Sequence, residues 1–164
     1  METKSHSTLG KYLTFRLGGE EYGIEILKVR EIIGLLEATP VPQAAAYVRG
    51  VVNLRGKIVP VIDLRKKFGL PEAPPARDNC VITVMYEGKE GDLLVGLQVD
   101  KVMEVVKVSA AEIEPLPVLG EDLKVDFLLG LAKTKERIVV LLDVDKVVQE
   151  QDFRALFALN LGKA

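Results

Sequence analysis

Two runs of apolar, mostly β-branched residues flank one tight turn. They are Gly50-Val51-Val52-Asn53-Leu54 and Ile58-Val59-Pro60-Val61-Ile62-Asp63-Leu64, around Arg55-Gly56-Lys57. Branched side chains pack well on a pleated surface, and glycine adopts the backbone angles a tight turn demands, so this stretch predicts a β-hairpin. Pro60 has no N–H for a ladder, which places it at an edge or a bulge. The pattern recurs along the chain. Tyr12 to Leu17 and Tyr22 to Ile26 flank Gly18-Gly19. Cys80 to Tyr86 and Leu93 to Val99 flank a Gly88 to Gly91 turn, and Val102 to Val108 follows. Phe127 to Ala132 and Ile138 to Leu142 flank Lys133 to Arg137. Short strands at a spacing of roughly 8–12 residues predict an all-β barrel or sandwich with little helix.

The two halves rhyme. Each holds a hairpin whose last strand ends in Asp63-Leu64 or Asp143-Val144, a step into a short helix, and Asp143 reads as the cap of the second. Arg65 to Gly69 reads as one helical turn stopped by glycine. Ile26, Val29, Ile32 and Ile33 sit three or four apart, which suits either a short helix or a curved strand. Leu70 to Asn79 is rich in proline and reads as a linker. The expected organisation has a flexible tail at residues 1–8 and one domain over 9–148. That domain holds two barrel subdomains, divided near 70–79, with exchange of strands between them left open. A helical tail follows at 149–164, where Phe153, Leu156, Phe157 and Leu161 stand at helical spacing. The tail docks on its own barrel, which is the ordinary reading, meets a partner, or is disordered alone.

The inventory of reactive residues removes most chemistry. One histidine, His6, and one cysteine, Cys80, are too few for a structural zinc site, and a lone cysteine forms no internal disulfide. His6 lies in a polar stretch, and Cys80 opens an apolar run, where a small buried hydrophobe is the ordinary reading. Gly50 to Lys57 has five residues between its glycines and Ile58 where a phosphate loop needs Ser or Thr. Asp63 and Asp143 remain open as an acid–base pair, though nothing singles them out. No metal and no cofactor are expected. Lys+Arg is 22 and Asp+Glu is 24, a formal net charge of -2, which disfavours a chain that coats nucleic acid or an anionic membrane. Arg49, Arg55, Lys57, Arg65, Lys66 and Lys67 form a basic stretch, yet no aromatic residue is interleaved for base stacking. Residues 1–7 have no apolar signal core, and no apolar run nears the roughly 20 residues of a spanning helix. A cytoplasmic binding protein without membrane insertion is the expectation.

Several motifs resemble the CheW family of chemotaxis coupling proteins. They are Gly18-Gly19-Glu20-Glu21-Tyr22-Gly23-Ile24-Glu25-Ile26, Val29-Arg30-Glu31-Ile32, and the long stretch Tyr47 to Arg65. Leu131-Ala132-Lys133 and Val139 to Lys146 fit the closing strands of that family, so the likeness runs from Leu9 to Val148. The resemblance implies a mainly β fold of two SH3-like five-stranded β-barrels with short helices. It implies a non-catalytic adaptor between chemoreceptors and the histidine kinase CheA, free of catalytic residues, largely monomeric when free and recruited to membrane receptor arrays. An adaptor of another receptor–kinase pathway, such as twitching motility, is the second reading. A nucleic-acid-binding β-barrel is the third.

The resemblance also carries site residues. Val29, Glu31, Gly50, Arg55 and Val102 are expected to meet the cytoplasmic tip of the receptor in the groove between the barrels. Glu31 and Arg55 are expected as a charge pair. Gly50 would allow a partner helix to come close. Ile26, Val29, Ile32 and Leu119 are expected to meet the CheW-like regulatory domain of the kinase. Each has an ordinary alternative: core packing for the apolar residues, a solvated turn for Arg55, and a strand-entry turn for Gly50.

Overall fold

The computed structural model describes residues 10–89, 91–114, 127–134 and 136–149. Strands β1 (Lys11–Leu17) and β2 (Glu20–Glu25) form the first hairpin. A 3-10 turn at Ile26–Lys28 leads into β3 (Val29–Gly34), so the apolar spacing of this stretch serves a turn and a strand in succession. The hairpin of β4 (Val48–Leu54) and β5 (Lys57–Asp63) runs into the one-turn helix α1 (Leu64–Lys67). Next come β6 (Cys80–Gly88), β7 (Gly91–Val99), β8 (Lys101–Lys107) and the short β9 (Ile113–Glu114). A last hairpin, β10 (Leu128–Thr134) and β11 (Arg137–Leu142), ends in α2 (Val144–Val147). Asp63 accepts the N–H groups of Arg65 and Lys66, and Asp143 accepts that of Asp145. The two aspartates are therefore helix caps that follow strands of different sheets.

The strands form two sheets, of order β8-β1-β2-β11-β10-β9 and β3-β6-β7-β5-β4. Neither closes on itself among the described residues, so the mainly β class holds in the form of two curled sheets. The proline-rich stretch does not divide them. Both β5 before it and β6 after it belong to the second sheet. The sheets instead trade strands: β3 leaves the first hairpin to edge the second sheet, and β8 leaves β7 to edge the first. Pro60 opposes Val51 of β4, while the parallel pairing of β5 with β7 begins only at Val61. The strand is thus a local edge where its N–H is missing.

The strands are apolar on both faces because both faces are covered. Leu13, Phe15, Leu17, Ile62, Leu64, Ile82, Val84, Leu97 and Leu142 fill the seam between the sheets. The opposite faces pack inside each curl, around Tyr12, Val139 and Leu141 in one and Val52, Val59, Val61 and Val81 in the other. A ladder of rings, Phe15–Tyr22–Phe68–Phe127, crosses the seam at centroid spacings of 6.0, 5.6 and 5.2 Å.

Candidate docking site

The turn between β4 and β5 places Arg55 and Gly56 at φ +53° and +88°, the two positive angles of a hairpin turn that matches the strand twist. Asn53 Oδ1 accepts the Gly56 N–H at 2.8 Å and fixes the loop. From this tip the Arg55 guanidinium donates to the Glu31 carboxylate on β3. β3 and β4 are opposite edges of the five-stranded sheet, so the ion pair spans the opening of the curl. Glu31 is held from below. Its N–H donates to Thr83 Oγ1 at 2.9 Å, and the Thr83 hydroxyl donates to the Glu31 carbonyl at 3.1 Å. Thr83 is fully buried on β6. A shift in register between Val29 and Glu31 accompanies this contact.

Glu31 alone of β3 pairs with Arg55; Val29 and Ile32 lie on the same strand, with Ile32 next to Glu31 and so on its other face. Ile32 is 46% exposed. Val29 and Ile26 are half-buried against the seam. Val102 stands across the seam on β8, opposite Phe15, and is half-buried there. A backbone hydrogen bond links it to the Cys80 thiol, and Cys80 opposes Gly34, the end of β3 distant from Val29. Burial pushes the Cys80 thiol up.

Gly50 needs correction. It is buried at φ +141°, and a Cβ there would lie 2.3 Å from the Thr39 carbonyl oxygen. The backbone that comes close is the chain's own Thr39–Pro40, bridged to Val51 by two hydrogen bonds of 2.8 and 2.9 Å. The chain's own backbone fills the position that a Cβ on Gly50 would take. Leu119 lies outside the described residues, as do His6 and residues 150–164 of the tail.

Sequence reasoning missed Leu27, which is 51% exposed at the crossing between sheets. It also missed a second copy of the edge-strand geometry. The Thr14 hydroxyl, on β1, donates to the carbonyl of Glu104 on β8 at 3.0 Å and accepts its N–H at 3.2 Å, as Thr83 does for Glu31. Arg137, from the β10–β11 hairpin, pairs with Glu104 and reaches the buried Glu21 at 3.3 Å. The signal was present in the spacing. Lys28-Val29-Arg30-Glu31-Ile32-Ile33 matches Lys101-Val102-Met103-Glu104-Val105-Val106 in order and, except at Arg30 and Met103, in type. Among the described residues no group of three or more His, Cys, Asp or Glu could hold a metal ion. No described helix is long and apolar enough to cross a membrane.

Comparison with known proteins agrees with this geometry. Residues 11–152 match the profile of the CheW-like domain. The chain is 39% identical over 146 residues to the chemotaxis protein CheW of Klebsiella aerogenes, covering 88% of this chain and 86% of that one. It is 34% identical over 152 residues to the CheW of Rhizobium meliloti, covering 92% and 96%. The crystal structure of the scaffolding protein TtCheW from Thermoanaerobacter tengcongensis superposes with a TM-score of 0.74 at 33% identity, covering 84% of this chain and 91% of that one. On the match across residues 11–152 and on these relatives, the chain belongs to the CheW-like family of chemotaxis scaffold proteins.

Proposed function

We propose that the chain couples the cytoplasmic tips of chemoreceptors to the histidine kinase CheA, without catalysis of its own, in the cytoplasm beside membrane receptor arrays. One observation carries the reading. Arg55 sits in left-handed backbone, which costs a residue with a Cβ roughly 1–2 kcal/mol. In return it makes an ion pair whose side chains are 69% and 36% exposed. Such surface pairs contribute only about 0–1 kcal/mol. The turn itself demands positive φ there, which Asn, Asp or Gly meets at less cost, so an arginine kept at that position for so little stability supports a partner's use of the pair. The exposed Ile32 lies on the same edge strand.

Val29, Glu31, Arg55 and Val102 are assigned to the receptor, as helix-in-groove contacts. Ile26, Val29, Ile32 and Leu119 are assigned to the CheW-like domain of the kinase. The chemotaxis pathway is preferred over other receptor–kinase pathways, because relatives at 30–39% identity carry the name chemotaxis protein CheW. The test is reconstitution of kinase activity from CheA and a receptor cytoplasmic fragment, with and without this chain. Activation that depends on the chain supports the proposal. Equal kinase activity in its absence refutes it. A salt titration against DNA is expected to be flat, where phosphate contacts would give a steep slope.

A further inference from the structure

The chain passes between its sheets twice, at the Ile26–Lys28 turn and at Asp100, between β7 and β8. Each crossing is clasped by the second residue of a short helix. Arg65 of α1 donates to Asp100, whose Oδ2 also accepts the Gly18 N–H at 2.9 Å. Lys28 Nζ donates to both oxygens of Asp145 on α2, each at 3.0 Å, with Glu87 at 3.6 Å. Asp145 Oδ1 further accepts the Glu87 N–H at 3.2 Å, which ties the clasp to the end of β6. The Lys28 side chain is only 17% exposed.

The two clasps occupy corresponding places with the charges reversed. Gly23 to Ile33 runs in step with Gly96 to Val106, and in that register Leu27 stands where the second crossing has Asp100. The first clasp is therefore made one residue later, at Lys28. Leu27 is left with no part in it and projects into solvent at 51% exposure. The 3-10 turn that carries Leu27 has no side-chain cap of its own. Its anchors are Lys28 on Asp145 and the Arg30 guanidinium on the Leu27 carbonyl at 3.1 Å.

We infer that Asp145 is a positioning residue for partner binding: through Lys28 it fixes the crossing turn that presents Leu27, an apolar contact residue, to the CheW-like domain of the kinase. The inference rests on the assignment of residues 26–32 to the kinase. It is tested with the full chain, by titration against that purified kinase domain. Leu27→Ser is expected to weaken binding about ten-fold, the loss of one well-buried apolar contact. Asp145→Asn and Lys28→Met are each expected to weaken it about five-fold, and the double variant no further, because they break one coupled pair. Amide exchange of residues 26–29 should quicken in Asp145→Asn while β6 and β7 keep their protection. Arg65→Met is the control. It breaks the corresponding clasp at the other crossing and is expected to leave kinase-domain binding within two-fold.

Asp145→Asn binding like the parent, or Arg65→Met weakening binding as much as Asp145→Asn, would overturn the inference. Failure of the underlying assignment looks different. In that case Ile32→Glu and Leu27→Ser both fold and both bind as the parent does.

Discussion

At Gly50 a methyl group would have to occupy the space of the Thr39 carbonyl, and the backbone angle there is one that side chains rarely adopt. Gly50→Ala is expected to lower unfolding free energy by about 2–4 kcal/mol, read from a denaturant titration. Arg55→Gly asks the opposite question. It relieves the left-handed strain and removes the ion pair, so stability should change by less than about 1 kcal/mol. Receptor-dependent kinase activation should nevertheless be lost. The burial of two phenols gives a third expectation. Tyr12 and Tyr22 are both pushed above their ordinary pKa, first by burial and then by Glu25 and Glu20. A raised pKa favours the fold in full below the unfolded value and loses that contribution as pH climbs through the folded one. Thermal stability should therefore show no contribution from these tyrosines to pH dependence below about 10, and it should fall above it. Ultraviolet titration should show their phenolates forming above the ordinary range. The Glu31–Arg55 partnership was legible because it came with a motif. The constraint on Gly50 was not, because Thr39 and Pro40 approach it only in three dimensions.

Among elements, those set by local chemistry were readable and those set by distant pairing were not. The Arg55–Gly56 turn and the Asp143 cap are written within a few residues, and the Asp63 cap, which the structure adds, repeats the latter. Asp63→Ala is expected to cost about 1 kcal/mol, measured by chemical denaturation. Residues 26–33 left helix and strand open, and the fold uses a 3-10 turn followed by an edge strand. What decides β3 is the buried Thr83 hydroxyl, which offers a partner to both the Glu31 N–H and its carbonyl. Thr83→Val keeps the shape and removes both bonds. It is expected to cost about 1–3 kcal/mol and to speed amide exchange along β3 before that of β7. If β3 and β7 exchange alike in the variant, the threonine does not anchor the edge. The division near 70–79 failed for a reason of the same kind. A proline-rich segment reads as a boundary, yet the strands on either side of it join one sheet.

At the scale of the molecule, the repeated spacing of Lys28 to Ile33 and Lys101 to Val106 becomes two edge strands exchanged between two curled sheets. That exchange gives one continuous seam and leaves the β4–β5 hairpin tip free to reach the exposed edge of β3. On the proposed function, the chain acts through this edge, as a bridge between two proteins. The most direct measurement is kinase activity reconstituted from CheA, a receptor cytoplasmic fragment and this chain, compared with Arg55→Glu at matched circular-dichroism spectra. Strong activation is expected from the parent chain and little or none from the folded variant. Equal activation by both, or by neither, would contradict it.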